Sequence, residues 1–202
     1  YTSESRYQFR TAITNSYWGF FYSGGLNDPG SGILVGGLYE LNTIIKNCQA
    51  DPAGNAASGY AGNQIAAATI LRVWLLQRMT DAWGMIPYSQ SLQPSLYRAP
   101  KYDSQEAIYD GLMGELNNAL SLINASEAGP TNDLIYGGDM DLWKKFGNSL
   151  KMRLALRTAD RNAAASQAAF EAAVTAGGFT SNADNALFPY GTGTEANPVY
   201  GN

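Results

Sequence analysis

An all-α fold of stacked antiparallel helical hairpins with long loops is what this 202-residue sequence predicts, and three observations predict it. Apolar residues recur at helical spacing over five or six separate stretches. Loops rich in Gly, Pro, Asn and Asp divide those stretches. No stretch reads as a convincing strand. The hairpins would stack in the manner of tetratricopeptide repeats, although the consensus of that repeat is absent.

In chain order, residues 1–22 begin helix-like and finish in the cluster Tyr17, Trp18, Phe20, Phe21 and Tyr22. The loop SGGLNDPGSG follows, and its Gly, Asn, Asp and Pro residues stop a helix on either side. From Ile33 a helical pattern runs to residue 49 through Leu34, Leu38, Leu41, Ile44 and Ile45, ended by Asp51-Pro52. Residues 60–83 form the most apolar helix. Ile70, Leu71, Val73, Trp74, Leu75, Leu76 and Met79 cover more than one face, so the helix must be packed on several sides. Arg72, Gln77, Arg78 and Asp81 interrupt it too often for a membrane span. Gly84 is the residue expected just past its end, and Pro87 blocks its resumption. With helix 33–49 it makes an antiparallel pair.

The segment after Pro87 carries Pro94 and Pro100 and reads as an extended surface connection. Asp103-Ser104-Gln105-Glu106 reads as a helix start, with Asp103 as the capping oxygen and Glu106 three residues on. Ile108, Leu112, Leu116, Ala119, Leu120 and Ile123 then mark one apolar stripe. In the next helix Leu142, Trp143, Phe146, Leu150 and Leu154 set the buried face, with Asp139 or Asp141 as cap. An Ala-rich helix over 163–176 turns Phe170 and Val174 inward and closes at Gly177-Gly178. The tail is loop-like.

Composition narrows the function. No linker divides the chain, so residues 1–202 are read as a single domain with one sizeable core. The 45% hydrophobic and 15% charged content is that of an ordinary globular domain. Thirteen Tyr and four Trp exceed what a core needs, which favours a binding surface for sugars, peptides or a partner protein, although many of these rings could equally line helix contacts. A net charge of −4 lacks the electropositive footprint of a nucleic-acid binder. The lone Cys48 excludes an intrachain disulfide and reads as a small buried hydrophobe. The absence of histidine removes the commonest general base, the usual triads and most zinc sites. The chain opens without Met, signal peptide or lipobox, as a processed or truncated piece would, so any anchor lies outside it.

Candidate chemistry is correspondingly sparse. Arg153, Arg157 and Arg161 share one helical stripe, which would suit a phosphate or nucleic-acid face; the plainer reading is that they complement a helix C-terminus, with one of them paired to a carboxylate such as Asp81. Asp28, Asp81, Asp139 and Asp141 are available for a carboxylate pair, but capping and helix ends explain most of them, and an enzyme reading has no positive support. Asp139-Met140-Asp141 lacks the Gly and closing Glu of a calcium loop, and no metal or cofactor motif is present. The aromatic cluster running into the polar loop is what a ligand platform needs. Trp18 and Tyr22 would stack on apolar ligand faces while Asn27 and Asp28 orient hydroxyls or amides. The alternative is that these rings fold back into the core.

Three stretches, taken in order, resemble the SusD/RagB family of bacterial outer-membrane nutrient-binding lipoproteins, and more closely its SusD-like branch. They are ILRVWLLQRMTDAWGMIPYSQSL, PKYDSQEAIYDGLMGELNNAL and GDMDLWKKFGNSLKMRLALR, spanning most of residues 60–161. Met85 stands where the family usually has an acidic residue, and Trp83 replaces the more usual Tyr. The resemblance implies the helical N-terminal portion of a longer chain, lipid-anchored at the cell surface through an N-terminus outside this sequence. It also implies a non-enzymatic role: capturing glycans, or in some members peptides, and delivering them to a SusC-like TonB-dependent transporter in the outer membrane. In the family the helical repeats pack on the transporter and ligand contacts come mainly from loops. No ligand motif transfers by pattern, so Trp18, Tyr22, Asn27 and Asp28 remain nominated on chemistry. A helical scaffold that binds a partner protein is the alternative of another class.

Overall fold

The structure, a computed structural model, describes residues 37–189. The expected helix within 1–22 and the nominated Trp18, Tyr22, Asn27 and Asp28 lie outside the described residues.

Five α-helices build the described part, as the apolar spacing predicts. Helix α1 (Leu38–Ala50) turns Leu38, Ile45 and Cys48 inward. Ile44, expected on that face, is 41% exposed, because the helical rotation places it roughly 40° beyond Cys48, at the margin of the stripe. Helix α2 (Ala61–Trp83) is buried on several sides, through Ala66, Ala67, Ile70, Val73, Leu76 and Met79. Gly84 ends it with φ +73, its N–H closing on Thr80 O at 2.8 Å while the Thr80 hydroxyl donates back to Gly84 O at 2.6 Å.

Two corrections follow α2. The connection was expected to lack strands, yet β1 (Ile86–Pro87) and β2 (Tyr102–Asp103) pair antiparallel, Ile86 opposite Asp103. Asp103, expected to cap the next helix, belongs to that ladder; Ser104 caps helix α3 (Gln105–Leu122) by accepting from Ala107 N at 3.2 Å. The physical reason is that the Asp103 carboxylate already accepts from the Tyr88 and Ser89 amides and the Ser89 hydroxyl. On α3 the stripe Ile108, Leu112, Leu116 and Ala119 is buried as expected.

Helix α4 (Met140–Thr158) is capped by Asp139 Oδ1, which accepts from Asp141 N and Leu142 N at 3.0 and 3.1 Å. Its Trp143, Phe146, Leu150 and Leu154 enter the core. Helix α5 (Ala163–Ala176) buries Ser166 and Ala173, whereas Val174 is 52% exposed and Phe170 is half-buried. Small residues face α4 because they let the two backbones close, with Ser166 Oγ 2.9 Å from Thr158 Oγ1.

Named contacts give the helix directions. Cys48 meets Gln64 and Asn42 meets Arg72, so α1 and α2 are antiparallel. Asn63 meets Asn124 and Tyr109 meets Asp81, so α2 and α3 are antiparallel too. Asn148 reaches Ala176 while Thr158 meets Ser166, which makes α4 and α5 a third such pair. Gly147 has no side chain and sits where a Cβ would lie 2.7 Å from Leu120 Cδ2 and 3.3 Å from Ile70 Cδ1, bringing α4 onto both α2 and α3. Trp143 anchors the shared core at 2% exposure, edge-on to Tyr136 at 5.3 Å, with its Nε1 donating to Asp133 at 2.7 Å. Among the described residues no helix is long and apolar enough to cross a membrane.

Candidate functional site

Among the described residues the helices frame two concave regions with charged side chains at their centres. The first lies between α1 and the turn that follows β1. Tyr39, Asn42, Thr43 and Lys46 recur at helical spacing and form one wall; Ser91, Leu92 and Gln93 form the other. The cleft measures about 280 Å³ and continues into an extension of about 290 Å³ toward Pro94 and Leu96.

Its floor is a charged network. Arg72 Nη2 of α2 pairs with Glu115 Oε2 of α3 at 2.9 Å, and Arg72 Nη1 donates to Asn42 Oδ1 of α1 at 3.2 Å. Tyr88 closes the set, its hydroxyl donating to Glu115 Oε1 at 2.8 Å. Burial and the neighbouring Glu115 carboxylate push the Tyr88 hydroxyl well above the ordinary phenol range, so it stays a donor.

Asp103 holds the turn in place. Its carboxylate accepts from Tyr88 N (3.2 Å), Ser89 N (2.7 Å) and Ser89 Oγ (2.9 Å), with Lys101 Nζ 3.3 Å away. Burial raises its pKa, but the Ser89 donors, Lys101 and the Tyr88 amide outweigh burial and bring it below the usual carboxylate range. Beyond this anchor Leu92 adopts φ +59, a conformation that costs an L-residue roughly 1–2 kcal/mol.

The second site is a broad groove of about 830 Å³ where the end of α2, the start of α3 and the end of α4 meet. Asp81 is fixed there by the Tyr109 hydroxyl at 2.5 Å, by Arg157 Nη2 at 3.2 Å and by the Gln77 side-chain amide. Burial and the Asp81 carboxylate push the Tyr109 hydroxyl up to about 12. The expected pairing of Asp81 with an arginine of the 153/157/161 stripe is therefore present. Arg161, with Glu106 and Asp110, lines the same groove, while Arg153 and Arg78 line a smaller neighbour of about 350 Å³. Asp139 serves as the α4 cap.

Both sites present hydrogen-bond donors and acceptors in fixed directions. The carboxylate at the centre of each, Glu115 or Asp81, is held by two or more donors, an arrangement suited to orienting hydroxyl and amide groups. Among the described residues no group of His, Cys, Asp and Glu is placed to hold a metal ion. Sequence reading did not find the first site. Arg72 stood out as a charge within an apolar helix, but its partner Glu115 is 43 residues away, beyond any local pattern.

Comparison with known proteins agrees with this architecture. A SusD-like family model described as starch-binding and associating with the outer membrane matches residues 1–202. No curated protein matches the chain. Among solved structures, a chitin-binding protein is 37% identical with a TM-score of 0.65, covering 74% of this chain and 31% of its own. A SusD homologue from Bacteroides uniformis is 33% identical with a TM-score of 0.65, over 77% of this chain and 31% of its own. A Bacteroidetes SusD-like protein, AC2a, is 30% identical with a TM-score of 0.65, over 77% and 27%. The chain thus spans about a third or less of the length of these solved relatives.

Proposed function

The chain belongs to the SusD-like family, and from this membership we propose that it is part of a cell-surface protein that captures glycans and hands them, uncleaved, to a SusC-like TonB-dependent transporter. The observation that carries the reading is the family match over the whole chain, in a family described as starch-binding and outer-membrane-associated. The chemistry of the chain is compatible with it. Surplus Tyr and Trp supply faces for sugar rings, and the two sites offer directed polar groups. On this reading the protein is a binding protein, held at the outer membrane by a lipid on an N-terminus beyond the chain.

Ligand contact is assigned to the aromatic loop, with Trp18 and Tyr22 stacking on sugar faces and Asn27 and Asp28 accepting or donating to hydroxyls. One solved relative is a chitin-binding protein, so chito-oligosaccharides belong in a binding panel beside malto-oligosaccharides. Calorimetric titration of both against the wild-type chain is expected to find a ligand. Trp18→Ala and Asn27→Ala should each weaken it about tenfold or more, the loss of a stacking face or a hydrogen bond. A wild-type chain that binds no member of the panel would sink the glycan reading. Unchanged affinity in both variants would sink the assignment of these residues.

A further inference from the structure

We propose that the cleft between α1 and the turn after β1 is a saccharide subsite in addition to the nominated Trp18, Tyr22, Asn27 and Asp28, gripping a short stretch of sugar by its hydroxyl groups. The proposal rests on the glycan-binding reading of the chain.

Its first support is the match between the cleft and an amphipathic ligand. With its extension, the cleft reaches the low end of the roughly 300–1,000 Å³ typical of small-molecule sites. Tyr39 and Leu96 are 51% and 72% exposed where the cleft opens, offering apolar contact to C–H faces, while the floor is polar.

The second support is unused hydrogen-bonding capacity. Asn42 gives its carbonyl oxygen to Arg72, but its amide nitrogen has no partner among the described residues. The Lys46 ammonium has none there either, and among the described residues the Gln93 side chain uses only its nitrogen, donating to Ser89 O at 3.3 Å. These groups stand above an ion pair with side chains only 16% and 27% exposed. Such a pair gains little over apolar residues of the same size, yet here it fixes the direction of Asn42. A neutral, hydroxyl-rich molecule can use every one of these groups without bringing a charge into the cleft.

The third support is strain. Leu92 holds its left-handed backbone on the lip of this cleft, and unfavourable conformations are retained where a site needs them.

The test uses calorimetric titration of maltohexaose and chitohexaose into the chain. Trp18→Ala should leave residual binding. Adding Asn42→Ala and Lys46→Ala should weaken that residue of binding about tenfold, and Thr43→Trp, which fills the extension of the cleft from the α1 wall, should weaken it as well. Tyr39→Ala at the exposed rim repeats the test should the double variant melt early. If Trp18→Ala removes all binding, or if residual binding is unchanged in folded cleft variants, the subsite is overturned while the glycan reading stands. If the wild-type chain binds neither sugar, both fall. If Trp18→Ala is silent and the cleft variants lose binding, the subsite stands and the aromatic loop is the part that is wrong.

Discussion

Asp103 shows how one side chain sets local structure against the obvious motif. Its place three residues before Glu106 reads as a capping box, but the Ser89 amide and hydroxyl and the Tyr88 amide converge on it from across the β1–β2 ladder. Three donors on one buried carboxylate outweigh a single capping bond, so Ser104 takes the cap. Asp103→Asn should lose about 1–3 kcal/mol of stability at neutral pH, read as a lower melting temperature. The sign with pH is fixed by the depressed native pKa. The stabilisation is complete above the unfolded carboxylate value near 4 and is lost as pH falls through the lower native value. The melting-temperature gap between wild type and Asp103→Asn should therefore narrow below pH ~4; a gap that widens there would contradict the donor network. Asn63 is the counterpart at the other end of α2, fully buried and bound to Asn124, Glu127 and Ala128 carbonyls at 2.9, 3.2 and 3.1 Å.

At the scale of elements, the helices were legible and their junctions less so. Long apolar periods located α2, α3 and α4 because burial of one face is a local signal, repeated every turn. Val174 misled because α4 and α5 approach through Ser166 and Ala173, and close approach rewards small side chains over large apolar ones. The β1–β2 ladder escaped because two residues carry no period. Gly111 is the same lesson inside a helix. In isolation, Ala at this position would favour the helix by about 1 kcal/mol. Here the Tyr88 ring lies across α3, and a Cβ on Gly111 would sit 2.8 Å from Tyr88 Cζ. Gly111→Ala should therefore lower thermal stability rather than raise it, and should displace Tyr88 from Glu115. A melting temperature above wild type would show that the ring yields at no cost.

At the scale of the molecule, one core joins α2, α3 and α4 among the described residues, and Trp143 is the largest side chain fully buried there. Trp143→Ala should cost about 3–5 kcal/mol in urea unfolding, since it removes a buried ring together with one of the donors to Asp133 Oδ2, which keeps the Gly138 amide. The family could be read from three stretches on these helices because burial, helix ends and caps hold those residues in fixed spacing. The cleft could not, since its floor needs three helices at once. The packing of α1 on α2 has a practical side. Cys48, 2% exposed beside Gln64 and the chain's sole cysteine, has its thiol pushed up by burial and so kept protonated. Maleimide-type reagents need an exposed thiolate. The native background is therefore silent to them. A cysteine introduced at the cleft rim could carry a fluorophore with the natural residue left in place, and slow labelling of Cys48 itself would time the opening of the α1–α2 hairpin.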